Sequence, residues 1–256
     1  TLAAKMVNEK VRKAGLADVL GEHGSTNVQG EDVKKLDMIA NDIFINVLDM
    51  GGDCCCVLSE EIDDIHYMEN EECLKAPYYV AMDPLDGSSN VDINGQIGTI
   101  FTIYRGRDDI PVNDERQFAQ PGKNQVCAGY VLYGPSTLLV MTTGGPTRGY
   151  TLDLTHGGFL LTHPELNVVP ECAEFAINMS NQPFWHEASK QYITDLISGP
   201  NGPMAKQYNM RWNAAMVGDV HRILSRGGIF LYPSDTREGT KNGKLRLLYE
   251  ANPMAM

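Results

Sequence analysis

The chain has 256 residues, 43% of them apolar, and carries 33 acidic against 21 basic side chains for a net charge of -12. That length and apolar content predict a globular protein able to bury a substantial core, while the acidic field excludes nucleic acid and anionic lipid as partners bound through their phosphates. No apolar run approaches the roughly 18 residues of a membrane helix, and the N-terminus lacks a signal-type apolar segment, so the expected location is cytoplasmic, away from membranes.

Leu2, Met6 and Val7 have helical spacing from the first residues, which predicts that the chain begins inside a helix with further sequence upstream. GEHGSTNVQGED (21–32) reads as a polar, glycine-bearing loop. From Val33 to Val47 a helix is predicted, with Val33, Leu36, Ala40, Ile43, Phe44 and Val47 on one stripe. Asp37 falls inside that stripe, about 40° from Val33 at 100° per residue, so it lies either at the rim of the core or in a cleft. Short strands follow at 54–59, 78–82, 99–104, 128–134, 137–143 and 157–162. So many strands with few helices between them predict an α/β (α+β) protein with a mixed or largely antiparallel sheet covered by helices. Beyond Pro170 a strand and turn (175–182), two helices (184–197 and 214–225) and two strands (228–233 and 244–250) are expected. A subdomain boundary near 166 divides the chain into 1–166 and 167–256. The six cysteines, Cys54, Cys55, Cys56, Cys73, Cys127 and Cys172, have neither paired spacing nor a nearby His and read as buried reduced thiols.

The chemistry concentrates in DPLDGSSN (83–90), directly after the apolar YYVAM (78–82). With the strand ending at Met82, Pro84 is expected to turn the chain and carry Asp86 back toward Asp83. Gly87 permits close approach of a ligand to the backbone, and Ser88 and Ser89 suit the start of a helical turn whose N–H groups attract anions. Two carboxylates beside an anion cradle suit a hard divalent cation bridging protein to phosphate; an Asx-turn with capping serines is the plainer alternative. LSEE (58–61) ends another strand in Glu60 and Glu61, which project to different sides. KLRLLYE (244–250) alternates, placing Lys244, Arg246, Leu248 and Glu250 on one face and Leu245, Leu247 and Tyr249 on the other. An ordinary solvated face accounts for that strand equally well.

The strings GSTNVQGEDVKKLD, LSEE, YVAMDPLDGSSNVD, GTIFTIYR, QPGKNQVCAGYVLYG, GDVHR, GGIFLYP and NGKLRLLYEANPMA, in this order, closely resemble class I fructose-1,6-bisphosphatases across nearly the whole chain. DPLDGS with an upstream EE is shared with inositol monophosphatases, whereas GGIFLYP followed by NGKLRLLYE points to the bisphosphatase branch. The resemblance implies a layered αβαβα sandwich of two packed subdomains and a homotetramer acting in gluconeogenesis. It also implies dependence on two or more Mg²⁺ per subunit, with Mn²⁺ as a substitute. By the same resemblance the metal ligands are Glu60, Glu61, Asp83, Asp86, Glu250 and the carbonyl of Leu85, and Asp37, Glu61 and Asp83 are the catalytic carboxylates. Asp86, Gly87 and Ser88 hold the 1-phosphate, with Arg246 nearby. Asn178, Tyr232 and Lys244 hold the sugar and its 6-phosphate, together with Arg211 from a neighbouring subunit.

The chain departs from the family where Asn-Glu-Gly-Tyr is usual and Asn178-Met179-Ser180-Asn181 stands, and at Trp212, where a tyrosine is usual. The AMP-contacting lysine-tyrosine pair becomes Pro77-Tyr78, leaving Tyr78 and Arg105 as partial allosteric contacts. The family also continues past the NPMA string, so the C-terminal subdomain is expected to extend further. The expected reaction is Mg²⁺-dependent removal of the 1-phosphate of fructose 1,6-bisphosphate. The alternatives are a sedoheptulose-1,7-bisphosphatase or dual-specificity enzyme and a catalytically dead binder.

Overall fold

In the computed structural model, which describes residues 1–16, 20–26, 32–70 and 75–256, the main sheet has eight strands. In chain order these are β3 (Cys54–Ser59), β4 (His66–Tyr67), β5 (Tyr78–Asp86), β6 (Ile97–Arg105), β7 (Gln125–Tyr133), β8 (Thr137–Thr142), β9 (Arg148–Asp153) and β10 (Gly158–His163). Their spatial order is β10-β9-β8-β7-β6-β5-β3-β4, and every pair is antiparallel except β3 with β5. The mixed, largely antiparallel sheet expected from the strand pattern is therefore present. The expected loop at 21–32 is partly a ribbon, β1 (Glu22–Thr26) paired with β2 (Asp32–Lys34).

Helices α1 (Leu2–Arg12) and α2 (Lys35–Gly51) cover one face of the sheet, where Ala4, Val7, Leu36 and Ala40 pack with Leu85, Ile97, Val131 and Leu139. On the other face α4 (Met216–Arg226) sets Met216 and Val217 against Ile100, Tyr130 and Leu132. A small parallel sheet lies beyond α4, with β11 (Glu174–Ala176) between β12 (Asn209–Met210) and β13 (Ile229–Phe230). Phe175 and Ile177 there pack on Ile193 and Leu196 of α3 (Glu187–Ile197), which completes five layers, αβαβα.

Cys54, Cys55, Cys56 and Cys127 are buried and, among the described residues, in no disulfide, as expected, whereas Cys172 is only half-buried; Cys73 lies outside the described residues. A register shift between Cys54 and Cys56 lets the consecutive Cys55 and Cys56 face the same core, toward Tyr79 and Tyr104, while Cys54 faces Met68 and Met82 on the other side. No described helix is long and apolar enough to cross a membrane.

Candidate active site

Strand β5 does not end at Met82 but runs on through Asp86, with Pro84 inside it. Asp83 pairs with Ile100 and Asp86 with Gly98, so three steps on β5 oppose two on β6. Residues three apart on a regular strand point to opposite faces, and the one extra residue of this bulge returns both carboxylates to the same side. Proline is tolerated there because a bulge leaves a ladder position unpaired. The carbonyl of Pro84 accepts from Thr99 Oγ1 at 2.9 Å, and Leu85 N donates to Asp83 Oδ1 at 3.0 Å. Gly87 then adopts a left-handed backbone (φ 76°), and a side chain at that position would collide with the Cβ of Ala215. A single 3₁₀ turn, Ser88–Asn90, follows.

Glu60 continues the pairing of β3, its N–H donating to Met82 O at 3.2 Å. Ser59 Oγ donates to Asn41 Oδ1 at 2.7 Å and accepts from Glu61 N at 3.3 Å, which ties the two glutamates to α2. Helix α2 begins at Lys35, two residues later than its apolar stripe predicts, because Val33 belongs to β2. Asp37 is thereby the third helical residue, and its Oδ2 accepts from Lys34 N at 2.8 Å, as acidic residues in a first turn commonly do. The ambiguity over Asp37 resolves toward the cleft: it is buried and lines it.

The strand expected at 244–250 does not form. Leu247–Ala251 is a turn of π-helix in which Ala251 N donates to Arg246 O at 2.9 Å, followed by α5 (Asn252–Ala255). Leu247, expected on an apolar face, is 66% exposed, and Leu248 packs away from the cleft beside Tyr79 and Phe118. The alternation was genuine in composition, but the wide turn uses it differently, bending Glu250 back so that its Oε2 accepts from Arg246 N at 2.6 Å. Insertions of this kind recur at functional sites.

These segments converge on a cleft of about 480 Å³. It is lined by Asp37, Glu60, Glu61, Asp83, Leu85, Asp86, Gly87, Ser88, Asn178, Tyr232, Lys244, Arg246 and Glu250, all anticipated from sequence. Oxygens of Asp83, Asp86 and Glu250, each buried, lie within 4.8 Å of one another. Burial, then Asp86, Glu250 and Glu61, push the Asp83 carboxyl well above the usual range. Asp86 is likewise raised by burial and Glu250, against a 2.7 Å hydrogen bond from Val217 N. Burial lifts Asp37 to about 6, opposed by the Lys34 N–H and the Ser88 hydroxyl. Arg246 supplies the compensating charge: its Nη1 lies 3.2 Å from Glu250 Oε1, and its Nη2 pairs with Glu60. A hard divalent cation fits this donor set, since all the groups are oxygens, they sit closer than mutually repelling charges tolerate, and burial denies them water.

Arg211 stands apart. Its Nε is 3.8 Å from Glu174 Oε1, the side chain is half exposed, and it does not line the cleft. Tyr78 and Arg105 face each other across β5 and β6 at the opposite end of these strands from Asp86. Asn181, which stands where a tyrosine is usual, is buried outside the cleft lining. Trp212 does line it, stacked on Phe230 at 6.1 Å and 12° and tilted against Tyr232. Ser89, read from the sequence with Ser88 as the start of an anion-attracting turn, also lines the cleft; sequence reasoning missed Lys34, Ala214, Met216, Phe230 and Leu245. Lys34 directly precedes the helix that carries Asp37, and that adjacency is the signal that would have found it.

Residues 1–164 match the family model described as fructose-1-6-bisphosphatase, N-terminal domain, and residues 168–256 match that of the C-terminal domain. The chain is 59% identical over 254 residues to fructose-1,6-bisphosphatase class 1 of Cellvibrio japonicus (strain Ueda107), covering 99% of this chain and 77% of that relative. Its identity to the class 1 protein of Colwellia psychrerythraea (strain 34H / ATCC BAA-681) is 52% over 253 residues, again 99% of this chain and 77% of the relative. Among solved structures, the holo form of Leishmania major fructose-1,6-bisphosphatase superposes with a TM-score of 0.92 at 36% identity, over 99% of this chain and 77% of that one. The T-state of the same protein gives 0.84 at 36% identity, over 99% and 75%. Both halves of the chain, its relatives and its solved neighbours agree, and the chain belongs to the fructose-1,6-bisphosphatase family.

Proposed function

We propose that this chain hydrolyses the 1-phosphate of fructose 1,6-bisphosphate, giving fructose 6-phosphate and inorganic phosphate, and that it requires Mg²⁺ to do so. The observation that carries the reading is the bulge in β5, which sets Asp83 and Asp86 on one side, beside Glu250 and next to Gly87 and Ser88. Asp83, Asp86, Glu250, Glu60, Glu61 and the carbonyl of Leu85 would hold the cation. Bound there, Mg²⁺ supplies positive charge that neutralises phosphoryl oxygens and acidifies water.

The chain's own residues do the rest. Gly87 and Ser88 orient the phosphoryl group at the start of the 3₁₀ turn, where N–H groups have no partner within the turn. Asp37, raised to about 6, remains ionised at neutral pH and takes a proton from the attacking water, with Glu61 beside it. As the new P–O bond forms, the bond to the sugar oxygen breaks, and that oxygen takes up one proton. Lys244, Tyr232 and Asn178 receive the sugar and its far phosphate, with Trp212 and Phe230 as an aromatic wall. Arg211, outside its own cleft, serves a neighbouring subunit's cleft in a homotetramer.

The test is phosphate release from fructose 1,6-bisphosphate and from sedoheptulose 1,7-bisphosphate, each with Mg²⁺, with Mn²⁺ and with a chelator. Release from the six-carbon sugar that the chelator abolishes and Mg²⁺ restores is expected. Turnover undiminished by the chelator would overturn the metal assignment, and a preference for the seven-carbon sugar would reassign the substrate.

A further inference from the structure

Two stretches distant in sequence meet at the phosphate side of the cleft, DGSSN (86–90) and NAAMVGD (213–219). The N-terminus of α4 is pressed onto the first of them. Val217 N donates to Asp86 Oδ2 at 2.7 Å, and Ala215 lies so close that only glycine fits at 87. Asn90 Nδ2 crosses to Asn213 O at 2.8 Å and also bonds Gln96 O at 3.1 Å. Between Asn213 and Ala215 the chain passes through Ala214, which lines the cleft with a left-handed backbone (φ 58°) that an L-residue with a side chain rarely adopts.

Something must hold that conformation, and the group in position is Asp219. It is 1% exposed on α4, one turn into the helix, and its carboxylate points back over the helix start. Oδ1 accepts from Asn213 N and from Asn213 Nδ2, both at 3.0 Å, and Oδ2 lies 3.2 Å from Asn213 N. A buried carboxylate with all its partners on one residue fixes that residue more firmly than the general packing does. Burial raises Asp219 to about 6 against these two donors, so at neutral pH it is the ionised acceptor the arrangement needs.

We propose that Asp219 is a positioning residue for phosphate hydrolysis: by clamping Asn213 it keeps Ala214 left-handed, and so holds Ala215 and the start of α4 against Asp86 and Gly87. The inference rests on the reaction proposed above, and its predicted signature separates it from a merely structural role. If the clamp acts by enforcing a conformation that costs Ala214, a residue that adopts the conformation freely should lessen the need for the clamp.

The experiment compares four proteins, wild type, Asp219→Asn, Ala214→Gly and the double variant, all checked for folding by circular dichroism. The readouts are kcat/KM on fructose 1,6-bisphosphate and, without substrate, the Mg²⁺ concentration that gives half the maximal rise in Tm. Asp219→Asn should lower kcat/KM at least tenfold, mainly through kcat, and raise the Mg²⁺ midpoint at least fivefold. In the Ala214→Gly background both factors should shrink at least threefold. Wild-type values in folded Asp219→Asn, or equal losses in the two backgrounds, would overturn the proposal. If Asp219→Asn does not fold, Asn213→Ala, which removes the side-chain donor, takes its place under the same criteria. A wild type that responds to Mg²⁺ but releases no phosphate would refute the substrate reading, while the Mg²⁺ midpoints would still judge the clamp.

Discussion

Replacing Asp83 by Asn removes one charge from a buried ring of carboxylates and, in the same change, one oxygen donor for a cation. The two consequences have opposite signs. In cation-free protein the variant should be more stable than the wild type by about 1 kcal/mol or more, roughly 2–4 °C in Tm, because the cost of burying the charge, and then its repulsion with Asp86, Glu250 and Glu61, is relieved. In the presence of Mg²⁺ the same variant should lose at least about 3 kcal/mol of transition-state stabilisation, the scale of one preorganised electrostatic group, or roughly a hundredfold in kcat/KM. Melting curves in chelator and steady-state rates in Mg²⁺ check the pair. A variant that melts lower in chelator would mean that Arg246 already cancels the charge on the ring.

Strand β5 performs a task that a turn was expected to perform. Deleting Pro84 removes the extra residue of the bulge, and the strand can then pair in regular register with β6. Asp83 and Asp86, then two residues apart on a regular strand, would still share a face, so the deletion should keep a Mg²⁺-dependent rise in Tm; loss of that rise while circular dichroism still reports the sheet would show that the bulge itself, and not the shared face alone, sets the two carboxylates. Helix α4 contributes a pH dependence of its own. His221 Nδ1 is 3.0 Å from Tyr130 Oη, and burial, with His163 nearby, lowers the His221 pKa. Burial also raises the phenol, so Tyr130 donates and the ring is neutral when folded. A folded-state pKa below the unfolded value gives stability that is complete above about 6.5 and lost as pH falls. The Tm difference between wild type and His221→Gln should therefore shrink between pH 7 and pH 5, and a constant difference would disprove the coupling. Much of this architecture is legible: CCCVLS places β3, the apolar stripe places the core of α2, and Asp37 stands out within that stripe, although the stripe alone leaves it between the rim of the core and a cleft. The misreadings have physical causes. Proline argues for a turn unless a bulge accommodates it, so β5 was cut short. Seven alternating residues cannot distinguish a strand from a turn of π-helix, and β9 (RGYTLD) has too few apolar residues to announce itself.

Arg211 tests how the molecule assembles. Its position beside Glu174, outside the cleft, fits a side chain that works across a subunit boundary. Mixing Arg211→Ala with Asp83→Asn protein should then restore part of the wild-type rate, because a hybrid assembles one intact cleft from two defective chains. No recovery, with subunit exchange confirmed by mass spectrometry, would assign Arg211 to its own subunit.

The order in which the carboxylates occur along the chain has a consequence for its synthesis. Asp37, Glu60, Glu61, Asp83 and Asp86 are all made early, on the helix over the main sheet, on the turn that leaves β3 or on β5, whereas Val217, Arg246 and Glu250 are made later. A ribosome-bound chain that has folded its first sheet thus carries a half-built acidic pocket, without the guanidinium that offsets it and without α4 to hold Asp86. Such a nascent chain should hydrolyse nothing, however complete its larger sheet. Activity appears only when the segment around Glu250 docks back onto β5, so the active site is completed after the sheet that carries its first carboxylates.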